Sequence, residues 1–368
     1  MNISEKASLC AIHNVDGIGS RTLFKLKEQY DSFTACLESD LKDLQKNIIS
    51  PTICDNIIKS RYNAASYFES LEESGIKVVT FDEKEYPKML RNIDNPPYLL
   101  YAKGEISLLN EDAIAIVGTR LATMYGKKVA FKFGRELADQ GIVTVSGMAR
   151  GVDTEAHKGS LESNGRTIAV LGSGINVIYP RDNTKLYNEI CNKGLVISEF
   201  APFTQPNPGN FPMRNRIISG LSYGVIVVEA KLRSGALITA DFALEQGRDV
   251  FAIPGPITSK NSEGTNNLIK QGAKLVNCIA DIFEEYYDIK LIQPAEIVQD
   301  ELPLIDEQEA ALLKLLDFEP MHFDELINIT SFSVGDLNMI LLNLEFKGMV
   351  KSMPGNYYVK VSDFLTKS

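Results

Sequence analysis

Residues 113–120, AIAIVGTR, and residues 142–153, IVTVSGMARGVD, each begin as a continuous apolar run and continue into a glycine-containing loop that carries an arginine. Similar apolar runs follow at 167–172, 195–199, 224–230 and 249–254. Amphipathic stretches such as 126–140 and 236–246 separate them. Continuous apolar strands that alternate with helices indicate a parallel sheet covered on both faces. The sequence therefore predicts an α/β fold with a doubly wound, Rossmann-like, mostly parallel sheet.

The stretches on either side of this sheet predict smaller accessory domains. Gly17 and Gly19 interrupt a helical pattern, which is typical of a helix-hairpin-helix or SAM-like module. Two short strand patterns within 78–104 indicate an extension laid against the following domain. Three helix patterns and a hairpin near the C-terminus are typical of a winged helix. We therefore expect a helical domain at 1–72, an extended Rossmann-like domain at 75–285, a linker at 286–303 and a winged-helix domain at 304–362.

Composition argues against several classes of protein. The five cysteines are scattered, without a CxxC pair or a nearby histidine set, so we expect reduced thiols and no metal site. No stretch reaches the roughly 20 apolar residues that a membrane span requires. The N-terminal residues lack the basic flank and apolar core of a secretory signal. The expectation is a cytoplasmic protein that does not enter the membrane.

Charge is distributed unevenly along the chain. The net charge is −10, which by itself argues against a polyanionic partner. Residues 112–280, however, carry 19 Lys and Arg against 14 Asp and Glu. This local excess of basic residues favours an anion-binding face on the central domain, although a solvated surface would have the same composition.

Basic and small residues fall where the predicted strands end. In an open α/β sheet, ligands bind beyond the carboxyl ends of the strands, near the topological switch point. Arg120 and Arg150 follow the first two strands, Lys231 and Arg233 follow the fifth, and Lys185 lies on the loop after the third. Glycine and serine in these loops let a ligand approach backbone N–H groups and helix N-termini. The pattern predicts a rim that binds phosphate groups.

The spacing of the motifs does not identify which phosphate-containing ligand binds, but it disfavours a dinucleotide site and a P-loop nucleotide site. Residues 172–174 supply GxG without the third glycine of a dinucleotide site, and no GxxxxGK[ST] motif occurs. A nucleotide-sugar hydrolase or nucleotidase stays as the alternative, with Glu229 as an acid that has no evident partner. His157 lies one helical turn after Asp153, a pair that could transfer protons but more often caps a helix and binds a semi-buried histidine. We therefore predict binding rather than catalysis, with no catalytic residue.

Four long motifs give the chain a family resemblance. They are VGTRLATMYGKK (117–128), SGMARGVDTEAHKGSL (146–161), GRTIAVLGSGINVIYPRDNTKL (165–186) and NFPMRNRIISGLSYGVIVVEAKLRSGALITADFALEQGRDVFAIPG (210–255). Together they resemble the DNA-processing protein DprA, or Smf, family. The resemblance implies a homodimer that binds single-stranded DNA, protects it, works with single-strand binding protein and helps load RecA recombinase during natural transformation. It implies neither an enzyme nor a cofactor.

The resemblance also implies which residues contact DNA. By motif position these are Gly118, Thr119, Arg120, Ser146, Gly147, Ala149, Arg150, Asn183 and Lys185. Arg214 and Arg216 are added because their run opens a helix near the rim, with the alternative that one of them binds backbone carbonyls or a carboxylate inside the domain.

Aromatic and acidic residues complete the expectations. Tyr125, Tyr179, Phe203 and Phe211 lie in the motif loops and are candidates for stacking on bases. The predicted winged helix carries four Lys against nine Asp and Glu over 302–360. We therefore do not expect its third helix to bind a DNA groove.

Overall fold

The computed structural model describes residues 4–47, 50–163, 165–286, 306–316, 320–330, 332–347 and 349–360. Its contacts divide the chain into two compact units, Met1–Gln293 and Pro294–Ser368. The predicted linker at 286–303 lies outside the described residues except for Tyr286, which is buried against Phe251. Within the described ranges, no helix combines the length and the apolar character needed to cross a membrane.

The first unit begins with six helices and continues into a large sheet. The helices are α1 Glu5–His13, α2 Ser20–Tyr30, α3 Phe33–Glu38, α4 Leu41–Asn47, α5 Pro51–Ser60 and α6 Ala64–Glu73. The strands are β1 Lys77–Thr80, β2 Leu99–Gly104, β3 Ala113–Val117, β4 Val143–Ser146, β5 Thr167–Val170, β6 Leu195–Ser198, β7 Gly224–Val227, β8 Asp249–Ala252 and β9 Lys274–Leu275. The later helices are α7 Lys88–Arg91, α8 Met124–Asp139, α9 Val152–Glu162, α10 Thr184–Lys193, α11 Asn210–Gly220, α12 Gly235–Glu245, α13 Glu263–Lys270 and α14 Ile279–Phe283.

The nine strands form one sheet in the order β1-β2-β6-β5-β4-β3-β7-β8-β9. Strands β3 to β9 pair in parallel, which confirms the predicted doubly wound, Rossmann-like core. Strand β2 pairs antiparallel with β6, and β1 pairs antiparallel with β2. The predicted extension therefore does more than lie against the domain, because its two strands are hydrogen-bonded into the sheet at one edge.

Alternate residues of the strands face different helices, as the period of a strand requires. Ile114 and Ile116 pack with side chains of α8 and α9, while Ala115 and Val117 pack with α11 and α12. Both faces are covered, which explains why these strands are apolar throughout.

The N-terminal helices pack against the edge of the same sheet. A shared apolar core contains Leu9 and Ile12 of α1 together with Tyr98 and Tyr101 beside and within β2. Two polar contacts join α1 to the edge strands, from Lys6 Nζ to the carbonyl oxygen of Val78 in β1 (2.9 Å) and between His13 Nδ1 and Tyr101 Oη in β2 (3.0 Å). The tight turn between α1 and α2 contains Gly17 at φ +89°, a conformation that favours glycine.

The second unit has the predicted winged-helix elements. Its helices are α15 Glu307–Leu315, α16 Phe323–Ile329 and α17 Val334–Phe346, and its strands are β10 Met321–His322, β11 Val350–Met353 and β12 Tyr357–Lys360. The strands form a sheet in the order β10-β12-β11. Lys347, at the end of α17, binds the buried carboxylate of Glu309 with its Nζ at 2.7 and 2.5 Å from the two oxygens.

Candidate nucleic-acid interface

A cleft opens where the strand order reverses. Strand β3 lies between β4 and β7 in the sheet. The chain runs outward from β3 through β4 on one side and through β7 and β8 on the other, so the loops that follow β3 and β7 diverge and leave a crevice between them. The resulting cleft has a volume of about 670 Å³ and is lined by residues 117–121 after β3 and by residues 231 and 233–236 after β7. The cleft therefore lies at the carboxyl ends of the strands, where the sequence predicts the phosphate-binding rim.

Three exposed cations border the cleft. Arg120 follows β3, and its guanidinium carbon lies 5.2 Å from the centre of the Phe211 ring, a cation–π geometry that orients the side chain. Lys231 and Arg233 follow β7 and are exposed. Within the described residues, no carboxylate forms an ion pair with either of them. Their charge is therefore available to an anionic ligand.

Helix α11 supplies one wall of the cleft. Phe211, Arg214, Asn215 and Ile218 line it, and their spacing places them on one face of the helix. The ring of Tyr179 lies 5.6 Å from that of Phe211, and it also lines the cleft. The wall therefore combines aromatic faces with a buried cation.

Arg214 binds the buried side of the loop after β4. This fully buried guanidinium donates to the carbonyl oxygen of Gly147 through Nη1 at 2.7 Å, and also to that of Val170. Asp153 Oδ2 accepts the backbone N–H of Ala149 at 3.1 Å. Between these anchors Met148 adopts φ +60°, an unfavourable conformation for a residue with a side chain. Arg214 and Asp153 thus fix the shape of this loop.

Burial shifts the pKa values of this pair in opposite directions. It raises the pKa of Asp153 to about 6, although the neighbouring Arg214 lowers it. It lowers the pKa of Arg214 to about 10, although Asp153 raises it. Arg214 therefore stays protonated at neutral pH, and Asp153 is ionised there.

Five of the predicted DNA-contacting residues line the cleft, and one of them, Arg214, does so as a buried side chain. They are Gly118, Thr119, Arg120, Ala149 and Arg214. Lys185 and Arg150 are exposed but do not line the cleft, and Arg150 binds Asp182 with its Nε 2.8 Å from Oδ2.

The other predicted contacts are buried and have internal partners. Ser146 Oγ donates to the carbonyl oxygen of Ile116 at 2.6 Å, and Gly147 lies beneath the loop surface, against Arg214. Asn183 Nδ2 donates to the carbonyl oxygen of Met148 at 2.9 Å. Arg216 forms a buried ion pair with Glu199 at 2.6 Å. The alternative stated for these two arginines was binding to backbone carbonyls or to a carboxylate inside the domain. Arg214 makes the first kind of bond and Arg216 makes the second.

Glu229 and His157, the two side chains considered for catalysis, are bonded differently from the sequence-based expectation. Glu229 does have a partner, because its carboxylate accepts the N–H and the hydroxyl of Thr123 at 2.9 and 2.5 Å. His157 binds Thr167 Oγ1 at 2.7 Å rather than Asp153, and it is fully buried, which lowers its pKa to about 3. Neither side chain lines the cleft, since Glu229 fixes the start of α8 and His157 joins α9 to β5.

Sequence reasoning did not foresee the role of Asp153 in shaping the loop. It considered this residue as the partner of His157 and as a helix cap, whereas the carboxylate lines the cleft and accepts the backbone N–H of Ala149 in the loop. No local pattern indicates this, because the contact depends on the fold of the loop. The stacking of Arg120 on Phe211 joins residues 91 positions apart, so it too arises only from tertiary structure.

Comparison with protein families gives two matches. The profile of DNA recombination-mediator protein A matches residues 77–287, more than half of the chain. The profile of the DprA winged helix domain matches residues 294–356. The DNA processing protein DprA of Bacillus subtilis is 48% identical over 214 residues, which cover 58% of this chain and 72% of the relative.

The solved structures that are similar to this one include two of DNA processing protein A. The X-ray structure of DNA processing protein A from Streptococcus pneumoniae has a TM-score of 0.67 and 37% identity, covering 77% of this chain and 99% of that chain. DNA processing protein A from Helicobacter pylori, described for its single-stranded DNA binding mode, has a TM-score of 0.53 and 34% identity, covering 58% of this chain and 98% of that chain. With the matching profile, these similarities establish that the chain belongs to the DNA recombination-mediator protein A family, also known as DprA or Smf.

Proposed function

We propose that this protein binds single-stranded DNA in the cleft between β3 and β7 and acts as a recombination mediator. One observation carries the proposal. Arg120, Lys231 and Arg233 border the cleft without a carboxylate partner among the described residues, next to the aromatic faces of Tyr179 and Phe211. Cations that follow a phosphate backbone, combined with rings on which bases stack, are typical of single-strand binding.

A single strand fits this chemistry better than a duplex does. The faces of bases in a duplex are covered by their neighbours, so Tyr179 and Phe211 can stack only on unpaired bases. We assign phosphate contacts to Arg120, Lys231 and Arg233, and a positioning role to Arg214. Ser146, Asn183 and Arg216 act from beneath the surface, by holding the loops that carry the contacts.

Family membership supports a wider role. We propose that the protein protects incoming single strands during natural transformation, acts alongside single-strand binding protein and helps load RecA recombinase. We also propose a homodimer, because two linked clefts raise the affinity for a long strand through effective concentration.

Binding without catalysis is part of the proposal. The alternative, a nucleotide-sugar hydrolase or nucleotidase, requires a general base that reaches the ligand. Glu229 bonds to Thr123 outside the cleft lining, and His157 is buried against Thr167. We therefore expect no release of base or phosphate from nucleoside monophosphates.

The binding proposal is tested by fluorescence anisotropy with a labelled oligonucleotide in single-stranded and duplex form. We expect wild type to prefer the single strand and Arg120→Glu to lose that binding. Arg135→Glu is the matched control, because Arg135 is an exposed arginine on α8 that does not line the cleft. Equal affinity of wild type and Arg120→Glu for the single strand would contradict the assignment.

The mediator role is tested separately, by RecA-driven strand exchange on DNA coated with single-strand binding protein. Wild type should shorten the lag before exchange, and Arg120→Glu should not. A wild-type protein that binds DNA but leaves the lag unchanged would contradict the mediator role and preserve the binding site.

A further inference from the structure

An exposed apolar surface lies beside the cleft. Its side chains are Leu121 (77% exposed), Met124 (70%), Tyr125 (48%) and Ile257 (93%), and we name these four residues the apolar shelf. Single exposed apolar residues are common, but several large ones gathered at one place mark a binding surface. Tyr125 was expected from the sequence to stack on bases and Leu121 lines the cleft, whereas Met124 and Ile257 have no role described so far.

Hydrogen bonds hold the two segments of the shelf together. Tyr125 Oη donates to the carbonyl oxygen of Pro254 at 3.1 Å, and Asn261 Nδ2 donates to that of Leu121 at 3.0 Å. These bonds fix the loop that contains Ile257 to the start of α8 at two points. The shelf is therefore one preorganised surface.

The start of α8 is fixed from within as well. Thr123 caps the helix by accepting the N–H of Gly126 at 3.1 Å. The same threonine donates its hydroxyl to Glu229 at 2.5 Å. Tyr125 and Met124 thus project from a helix turn that is anchored to the end of β7, and little ordering is needed when a ligand binds.

The shelf is continuous with the cleft. Leu121 belongs to both, because it lines the cleft and directly follows Arg120. A strand whose phosphate lies at Arg120 therefore passes next to the shelf as it leaves the cleft. This continuity favours the ligand of the cleft as the occupant of the shelf.

The charge around the shelf favours the same ligand. Lys127, Lys128 and Lys260 are exposed, and none of them forms an ion pair with another described residue. One exposed carboxylate, Glu263, follows Lys260 by three residues, so these four side chains carry an excess of positive charge. Apolar and aromatic faces surrounded by lysines suit unpaired bases and the phosphates that join them.

We propose that the apolar shelf is a second subsite for single-stranded DNA, on which bases of the strand leaving the cleft stack while the neighbouring lysines contact its phosphates. The proposal rests on the proposed function of the cleft. Tyr125 supplies the stacking face, and Leu121, Met124 and Ile257 supply apolar contact on either side of it.

The test uses two labelled oligonucleotides of about 12 nucleotides, within the range of single-strand site sizes. One is oligothymidylate, and the other is an abasic strand of the same length. Anisotropy titrations compare wild type with Tyr125→Ala and Ile257→Glu. Tyr62→Ala is the matched control, because Tyr62 is an exposed tyrosine (83%) in the N-terminal helical region.

We expect Tyr125→Ala to weaken oligothymidylate binding about tenfold, in line with the stacking contribution of one base. Its affinity for the abasic strand should change by less than about twofold, since no base remains to stack. Ile257→Glu should weaken both complexes by adding negative charge, at a position too exposed to disturb folding. Tyr62→Ala should match wild type throughout.

Two results would overturn the proposal in distinguishable ways. Unchanged oligothymidylate affinity in Tyr125→Ala and Ile257→Glu, with binding still abolished by Arg120→Glu, would reject the shelf and leave the cleft intact. Absence of binding by folded wild type at low salt would reject the cleft and the shelf together. Equal losses for the base-bearing and abasic strands in Tyr125→Ala would reject stacking.

Discussion

Arg120 and Arg214 both line the cleft, but they are placed under different physical conditions. Arg120 is exposed and rests on the Phe211 ring, so its charge can reach a ligand with little cost in desolvation. Arg214 is buried and uses its Nη1 on two backbone carbonyls. The first is suited to contact an anionic ligand, and the second is suited to hold the loop after β4.

This difference predicts opposite effects of replacing the two arginines. Arg214→Met should lower the free energy of unfolding by about 3–5 kcal/mol, because it leaves Asp153 buried without its cation and two buried carbonyls without a donor. Arg120→Met should change stability by less than about 0.5 kcal/mol, because the side chain is exposed.

Urea unfolding at neutral pH, combined with oligonucleotide anisotropy, checks this prediction. Arg120→Met should lose single-strand affinity while remaining as stable as wild type. Arg214→Met that unfolds at the same urea concentration as wild type would contradict the structural role of Arg214.

Asp153 predicts a pH dependence of stability. Burial raises its pKa from 3.8 to about 6, so between these values the folded protein keeps a proton that the unfolded chain releases. Its contribution to stability is therefore fully present below pH 4 and is lost as the pH rises to 6. Two pKa units correspond to about 3 kcal/mol.

The measurement compares the unfolding free energies of wild type and Asp153→Asn from pH 4 to 7. Relative to the variant, wild type should become less stable by about 3 kcal/mol between pH 4 and 6.5, with no further change above that pH. A difference that stays constant over the whole range would show that Asp153 titrates normally.

The sequence predicts which residues lie at the rim, but not which of them face the cleft and which bind other parts of the protein. Arg120, Lys231 and Arg233 follow strand ends, and parallel strands bring those ends to one edge. The internal partners of Ser146, Asn183 and Arg216 are separated from them by 30, 35 and 17 positions. Such contacts arise only when the chain has folded, so buried anchors and surface contacts look alike in the sequence.

Among the elements, α8 and α9 pack closely against each other at two glycines, Gly134 and Gly159. A Cβ on Gly134 would lie 2.2 Å from the carbonyl oxygen of Ala156, and one on Gly159 would lie 2.0 Å from that of Phe131. Because both obstacles are backbone atoms, a side chain at either position requires the helices to separate. This packing holds α9 where its N-terminal turn meets the cleft.

Gly134→Ala should therefore destabilise the protein by about 1–3 kcal/mol, the usual cost of overpacking. This exceeds the gain of up to about 1 kcal/mol that alanine brings inside a helix. Gly235→Ala, at the start of α12, is the matched control, because no atom lies within 4 Å of its added Cβ. Thermal unfolding checks both variants, and a Gly134→Ala protein as stable as the Gly235→Ala control would contradict the packing argument.

The elements of the parallel core were predictable because their signal is local. Strands β3 to β8 are short runs of mainly apolar residues, and each is followed by a helix or by a loop that contains glycine or other small residues. Strands β1 and β2 were recognised as strands, but their place in the sheet was not. The pairing of β2 with β6 joins Tyr101 to Ser198, nearly 100 positions apart, and no pattern within either strand specifies that partner.

At the scale of the whole molecule, the basic excess of residues 112–280 and the cleft both lie in the first unit, while the winged-helix unit is acidic. Lysines are few in the second unit, and Lys347 at the end of α17 binds Glu309. The helix that would face a DNA groove in a typical winged helix therefore offers little free positive charge.

We therefore expect a chain that ends at Gln293 to keep its affinity for single-stranded oligonucleotides within about twofold, because the contacts assigned to DNA lie in the first unit. Anisotropy on the truncated chain, with circular dichroism to establish folding, checks this. A folded truncated chain that binds tenfold or more weakly would assign DNA contacts to the winged helix.

The central claim is that Arg120, Lys231 and Arg233 neutralise phosphates of a single strand, and the salt dependence of affinity tests it most directly. Each neutralised phosphate contributes about −0.7 to the slope of log affinity against log salt concentration for a single strand. Arg120→Gln should make this slope shallower by about 0.7, and Lys231→Gln combined with Arg233→Gln should make it shallower by about twice as much. Slopes identical to wild type in these variants would place the DNA elsewhere on the protein.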